Sequence, residues 1–360
     1  MKKRDYSLDV IKGIACILML IAHSQINISN KLIFFVTQMS GFAPILFFAV
    51  SGVTTTFQIA KNKISNIFVF YFLLALLGIS YNAIWRPQNI FDRGIECNIL
   101  QIIAIGVIIV SLIEYYFKPP KVYYLLFTAV TFGIHYLFTQ ILQTPNLIFT
   151  HFLFVGDAAG KTFPIFPWVS IFFMGIFAYY IKNYGNLFIS LSIIFYSLIL
   201  LFFHPQYISL VDKKWDMSLV YFLRSSSLLF LSFYIARKYI RYFSDNNILV
   251  WLGKNSLLFL YIHFIPVMFL FPSMKIDNAY LVWLSRCLIS ILIMQAVKYL
   301  NKFIANYFTN IYVWILMLAV ILIIPIILNN LTTIKYLELG VGILFASNYQ
   351  VLPKLLKQIE

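Results

Sequence analysis

Charge is what this chain has least of. Only 11% of its 360 residues are Asp, Glu, Lys or Arg, against about 25% in a soluble domain, and 62% are hydrophobic. That deficit excludes a soluble globular fold. Acids are scarcer than bases, 12 against 27, giving a formal net charge of +15. So large a charge raises nucleic acid as a partner, but the basic residues are scattered between apolar runs and form no basic domain, so no nucleic acid is expected. Cysteine is nearly absent. Cys16, Cys97 and Cys287 lack metal or redox spacing and read as small core residues, so no metal is expected. No soluble domain, low-complexity tract or internal repeat is visible. Aromatic residues, at 19%, suit a chain with many membrane–water interfaces. The N-terminus is charged like a signal peptide but has no small-residue cleavage site, so it reads as a retained first span.

What is present is a series of apolar runs long enough to cross a bilayer. They fall at 8–28, 42–60, 64–82, 97–117, 122–141, 167–183, 187–203, 218–236, 248–271, 279–299, 310–329 and, more weakly, 334–351, where Glu338 and Asn348 interrupt. Residues 32–41 are apolar but short and read as an interfacial or re-entrant piece. The expected fold is all-α, one polytopic integral membrane domain over 1–360 with about 10–12 transmembrane helices. Lys and Arg favour cytoplasmic loops. With the N-terminus in the cytoplasm, 15 of the 27 basic residues fall on that side and eight on the other. A plasma-membrane protein with a cytoplasmic N-terminus is expected.

Four basic residues fall inside spans: Lys12, Arg224, Lys254 and Arg286. Ionisable groups within lipid are costly and usually face a protein interior or a wet cavity. In the stretch Arg4 to Ser24, Lys12 and His23 are eleven residues apart, so they share one helix face about 16 Å apart. Depth along the spans puts His23, His263, Arg224 and Arg286 at one level. Asp9, Lys12 and Lys254 make a second level near the cytoplasm. Lys12 and Lys254 can equally snorkel to the inner interface, the arginines can bond neighbouring serines, and Asp9 can cap the helix or pair with Lys12. The functional reading has the lower cations hold an anionic donor from the cytoplasm. A histidine then acts as general base, and the arginines stabilise charge developing on a thioester oxygen. The longest outer loop, about 142–165, holds His151 and Asp157 as candidates to meet the acceptor. Its Gly156 to Thr162 segment has three residues between its glycines where a phosphate-binding loop has four, so nucleotide binding there is rejected.

The first-helix stretch SLDVIKGIACILMLIAH resembles that of the transmembrane acyltransferases, a superfamily that includes acyltransferase family 3 and the heparan-α-glucosaminide N-acetyltransferase-like proteins. The family 3 pattern is an arginine, ten residues and a histidine. Here Lys12 stands for the arginine and His23 is the histidine; lysine keeps the charge and loses the bidentate fork. PILFFAVSG (Pro44 to Gly52), LGKNSL (from Leu252) and YIHFIP (Tyr261 to Pro266) resemble further signatures. NILQIIA (Asn98 to Ala104) and FPIFPW (Phe163 to Trp168) lean toward the N-acetyltransferase-like branch. The resemblance covers most of 4–270.

The resemblance implies an acyl-CoA donor, usually acetyl-CoA, used on the cytoplasmic side. It implies transfer to a hydroxyl or amine of a cell-envelope or exported glycan. On this reading His23 is the general base or acyl relay. Lys12 and Lys254 bind the donor with Asp9 beside them, Lys61 and Lys63 stand at its mouth, and Arg224, Arg286 and His263 line the reaction chamber. The rival is a transporter or flippase for an anionic lipid or polysaccharide precursor. It would use the same cations as a path, but the sequence shows no matched pair of Gly/Pro-broken helices.

Overall fold

The computed structural model describes residues 4–24, 31–85, 97–141, 153–154, 162–210, 214–215, 217–270, 278–353 and 355. They form a helical bundle with no strand among them. In chain order the helices are α1 (Tyr6–His23), α2 (Lys31–Ser40), α3 (Ala43–Ile59), α4 (Ile64–Trp85), α5 (Ile99–Tyr116), α6 (Tyr123–Ile141), α7 (Ile165–Tyr180) and α8 (Asn183–Phe203). They continue with α9 (Leu219–Lys238), α10 (Ile248–Lys254), α11 (Ser256–Ile262), α12 (Ala279–Ile304), α13 (Ile311–Ile327) and α14 (Leu331–Asn348). Over the described residues every expected apolar run is helical, one of them with a break. Among the described residues seven helices are long and apolar enough to cross a membrane, and an eighth crossing is made if the bent α10–α11 pair is one span. The short run 32–41 is a helix that leads through Gly41 and Phe42 into α3.

Burial separates the helices. α3 and α7 are packed nearly all round and form the centre, with Phe172 stacked on Phe48 and Trp168 edge-on to it between them. α8 touches mainly α9 and exposes Phe188, Leu191, Phe195, Leu198 and Phe202. An exposed face that apolar, on a helix of this length, suits lipid and not water.

Lipid gives helices little hydrophobic reason to associate, so close backbone packing at small residues takes over. Two crossings are built this way. Gly52 and Gly175 bring α3 and α7 together: a Cβ on Gly52 would lie 2.3 Å from the Phe172 carbonyl oxygen, and one on Gly175 would lie 2.4 Å from that of Ala49. Gly13 and Gly253 bring α1 and α10 together, with the corresponding distances 2.1 Å to the Leu249 oxygen and 1.8 Å to the Asp9 oxygen.

The run 248–271, expected as one helix, is broken. α10 and the segment after it meet at an angle of 86°. The break is at Asn255, whose side-chain amide donates to the Trp251 carbonyl at 2.7 Å while its carbonyl oxygen accepts from Lys298 at 2.9 Å. The asparagine side chain thus ties the end of α10 to Lys298 of α12 at the bend, which apolar periodicity alone could not disclose.

The base of α1 is tied to three neighbours. Asp5 caps the helix, accepting from the Ser7 amide at 2.9 Å and hydroxyl at 2.6 Å, and also accepts from Tyr179 of α7 at 2.8 Å. The Arg237 guanidinium of α9 lies over the Tyr179 ring at 4.5 Å. Tyr6 donates to Asp245 at 3.1 Å, and Asp245 pairs with Lys254 of α10. Asp9 does not pair with Lys12 as its spacing suggested. Arg4 takes both its oxygens, at 2.7 and 3.1 Å, because its planar fork matches a carboxylate where an ammonium makes one point contact.

Two stability predictions follow from these contacts. Gly253→Leu forces α10 off α1 and should cost at least about 1–3 kcal/mol, read as a lower melting temperature of the detergent-purified protein. Gly133→Ala, where a Cβ meets nothing within 4 Å, should be neutral or stabilising; equal losses in the two would remove the crossing from the account. Asp5→Ala should cost about 0.5–2 kcal/mol through the lost cap, and Asp5→Asn, which can still cap, should recover most of it in the same melt.

Candidate active site

α1 ends at His23 and α11 ends beside His263, and the two rings meet. His23 Nδ1 and His263 Nε2 are 2.7 Å apart. Their tautomers follow from the next contact. His263 Nδ1 lies 3.2 Å from the Phe259 carbonyl oxygen, which can only accept, so Nδ1 carries the proton. Neutral His263 then presents a lone pair at Nε2, and His23 Nδ1 donates to it. That leaves the lone pair of His23 at Nε2, away from its partner. His263 is fully buried and His23 half-buried, so the inner ring is fixed and the outer ring has the accessible nitrogen.

Aromatic rings wall the pair. Trp85 meets His23 edge-on at 4.9 Å, and Phe264 stacks on His263 at 4.5 Å. Tyr81 packs on Phe264 at 5.3 Å. Such a wall holds both rings and keeps their surroundings dry, which strengthens any charge effect there.

Beside His23 opens a cavity of about 190 Å³ lined by Ala22, Thr37, Gln38, Ser40, Gly41, Phe42, Lys214, Tyr221 and Arg224. The Arg224 guanidinium lies over the Phe42 ring at 5.0 Å. Phe42 stacks on Tyr221 at 5.5 Å, and the Tyr221 hydroxyl donates to the Gly41 carbonyl at 3.0 Å. Lys214 is within electrostatic reach of His23, and burial pushes its ammonium down to about 8. Arg286 is buried on α12, one turn from Trp283, which packs with Ile33 and Ile21 near the same end of α1. His151 and Asp157 lie outside the described residues.

The other end of α1 holds the remaining candidates. Lys12 is half-buried and lies in the field of Asp9 and Arg4. Lys254 is engaged by Asp245, whose carboxyl the Lys254 ammonium and the Tyr6 hydroxyl hold below its usual range. Lys61 and Lys63 are exposed on the α3–α4 turn. Next to them is a second cavity of about 260 Å³, walled by Gln58, Asn62, Asn66, Phe70, Tyr71 and Tyr349 among others. Tyr349 is within electrostatic reach of Arg4 and Asp9, so this cavity adjoins the base of α1. No contact gathers Lys12, Lys254, Lys61 and Lys63 into one cluster among the described residues.

Several residues here escape a reading by spans. Asp5, Tyr6 and Asp245 form the base ties; only the Asp5–x–Ser7 cap signature is local enough to be read. Lys214 sits in a short charged loop that reads as solvated. Glu338, which looked like a flaw in the last span, is fully buried against α4, where the Ser80 hydroxyl donates to its backbone carbonyl at 2.9 Å. No group of three or more His, Cys, Asp or Glu that could hold a metal occurs among the described residues.

No curated protein matches the chain. One family model does, described as heparan-alpha-glucosaminide N-acetyltransferase, catalytic, over residues 4–202. The match contains Asp9, Lys12, His23, Lys61 and Lys63, and ends before Arg224, Lys254, His263 and Arg286. It takes in more than half of the 360 residues. A polytopic helical bundle whose matched half carries the His23 end of the imidazole pair is thereby placed: the chain belongs to the heparan-alpha-glucosaminide N-acetyltransferase catalytic family.

Proposed function

We propose that this protein is a membrane acetyltransferase that moves an acetyl group from acetyl-CoA to a hydroxyl or amine of a cell-envelope or exported glycan. The family match supports acetyl transfer. The observation that carries the mechanism is the hydrogen-bonded histidine pair, which leaves the Nε2 lone pair of His23 free of its partner ring. His23 Nε2 takes the proton of the acceptor as its oxygen or nitrogen attacks the thioester carbonyl. His263 Nε2 accepts from His23 Nδ1 throughout and stabilises the imidazolium that forms. The tetrahedral oxyanion collapses, the carbon–sulfur bond breaks, and the leaving thiolate takes the proton back from His23. Arg224 and Arg286 supply positive charge to the oxyanion or to bound substrate.

The donor enters from the Arg4 end on this reading. Lys12 is the cation on the path from there to His23, Lys61 and Lys63 offer charge to the CoA phosphates, and Lys254 contributes through its pair with Asp245. The cavity of about 260 Å³ beside Tyr349 supports entry at this end. The basic residues crowd the same end, which supports a cytoplasmic N-terminus in the plasma membrane. The acceptor approaches the opposite end, where the loop bearing His151 and Asp157 meets it.

Acetyl transfer from labelled acetyl-CoA into envelope glycans, measured in membranes, tests this. His23→Ala should lose at least about 100-fold of the rate, the usual size of general-base catalysis; an unchanged rate would reject His23 as the base. For His263 the comparison is between two variants. His263→Gln retains an acceptor for His23 Nδ1 and should keep more of kcat than His263→Phe, with KM for acetyl-CoA similar in both. Equal kcat in the two would remove the orienting role.

A further inference from the structure

We infer that the cavity between α3, α4 and the residues that follow α14 holds the adenine ring of the donor, so that the nucleotide end of acetyl-CoA is read by its nucleobase as well as by its phosphates; this rests on the acetyltransferase reading above. The cavity has about 260 Å³, less than the roughly 300–1,000 Å³ of sites for drug-sized ligands, so it takes a ring system and not a whole cofactor. Every described residue of its lining is neutral, which suits an uncharged ring and not a phosphate. Its walls are of two kinds. Phe70, Tyr71 and Tyr349 supply aromatic rings, with Phe70 meeting Tyr71 at 5.1 Å and Tyr349 at 6.1 Å between centroids. Gln58, Asn62 and Asn66 supply amides. Every nucleobase has a π-face that stacks on such rings. An amide sets a donor beside an acceptor, the pattern that meets N7 and the 6-amino group of adenine.

Two of the amides are held and one is unspent. The Tyr71 hydroxyl donates to Gln58 Oε1 at 3.2 Å, and the Asn62 amide donates to the Gln58 backbone carbonyl at 3.3 Å. Asn66 is buried, and its side-chain nitrogen has no hydrogen-bond partner among the described residues. A buried donor left unpaired is costly, and no bond from that nitrogen holds the amide against turning to an acceptor on a bound ring. Position decides between a nucleobase and a sugar, which amides and aromatic rings can also hold. Tyr349 is within electrostatic reach of Asp9. Asp9 and His23 stand fourteen residues apart on α1, about 21 Å along its axis. A sugar held in this cavity would lie that far from the histidine that must deprotonate it. The donor carries its nucleobase at one end and its thioester at the other, joined by a flexible arm. Its adenine can therefore rest here while the thioester reaches His23. Lys61 and Lys63 flank Asn62 on the α3–α4 turn, which puts positive charge beside the phosphates that adjoin the nucleoside.

The test is binding to the full chain in lipid nanodiscs, by calorimetry, of adenosine 3′,5′-bisphosphate and of its inosine counterpart, which has a carbonyl in place of the 6-amino group. The adenosine nucleotide should bind at least about 10-fold more tightly, the size of one amide–base pair. Asn66→Leu should weaken it by about 10–100-fold and narrow the gap to the inosine nucleotide. Phe70→Leu, which removes a stacking face, should weaken both nucleotides alike by about 10-fold. The ligand-free melting temperature checks that each variant is folded. Equal binding of the two nucleotides, binding of neither, unaltered binding in either folded variant, or displacement of the nucleotide by glucose would each overturn the inference. Labelled acetyl transfer separates it from the reading beneath it. Asn66→Leu should raise KM for acetyl-CoA and keep kcat, the sign of lost uniform binding, and should leave KM for S-acetylpantetheine, which lacks the nucleotide, where it was. Transfer with the same KM for acetyl-CoA in wild type and Asn66→Leu would leave the acetyltransferase standing and sink the adenine site. Adenine-selective binding without acetyl transfer to any glycan would do the reverse.

Discussion

The arrangement depends on a place where two helices touch through their backbones. At Gly13 and Gly253 there is no room for a Cβ, so α10 crosses α1 as closely as peptide groups allow. That contact, and the break at Asn255 just after it, decide where the chain goes next. α11 sets off at a steep angle from α10 and ends with His263 against His23. Had α10 and α11 formed one straight helix, the ten residues from Gly253 to His263 would have run about 15 Å along a single axis, and no bend would have turned His263 toward the end of α1. The hydrogen bonds at the base of α1 serve the same purpose from the other side, because Asp5 holds Tyr179 of α7 and Tyr6 holds Asp245, the partner of Lys254 on α10.

Once the rings meet, a backbone carbonyl settles their chemistry. The Phe259 oxygen already accepts the amide of His263 at 3.0 Å, and its remaining lone pair takes Nδ1–H. One helical carbonyl thus sets the proton on the buried ring, the buried ring sets it on the outer ring, and the outer ring is left with a basic nitrogen. A carboxylate in the position of His263 would do more to stabilise an imidazolium, but it would have to be kept ionised in a wall of Trp85, Tyr81 and Phe264. A neutral imidazole carries no such desolvation cost. The chain's shortage of acids, 12 in 360 residues, fits a site that orients its base without one.

How much of this was legible depends on how local the signal is. The helices were readable because each needs only its own apolar run. His23, Lys12 and His263 stand out in the sequence because ionisable groups within apolar helices are costly, although Lys12 can equally snorkel. Their contact was not. It needs Asn255 to break a run that periodicity scores as continuous, and Gly253 to meet Asp9 across 244 positions of sequence. Spacing offers Asp9 a helix cap or a pair with Lys12, three residues on. Arg4, five residues back and outside the helix, won because its fork matches both carboxylate oxygens. Lys214 shows the opposite failure. A lysine in a short charged loop reads as solvated, and only the packing of Trp215, Tyr221 and α2 around it makes it part of a cavity wall.

The family match ends before residue 203, and the boundary cuts across the site instead of following its chemistry. Within it lie His23, Lys12 and the α3–α4 turn, which on the proposed reading handle the donor and abstract the proton. Beyond it lie His263, which meets His23, Lys254, which on the proposed reading also serves the donor, and Lys214 and Arg224, which line the cavity beside His23. Donor and base chemistry are the same for any acceptor, because the thioester and the proton transfer do not change with the sugar. The charge and shape of an acceptor site do change with it. On the proposed reading the match covers the common step and most of the cavity wall, and leaves Lys214 and Arg224 outside it. Those two cations beside His23 are therefore argued from this chain's own residues and not borrowed from the family.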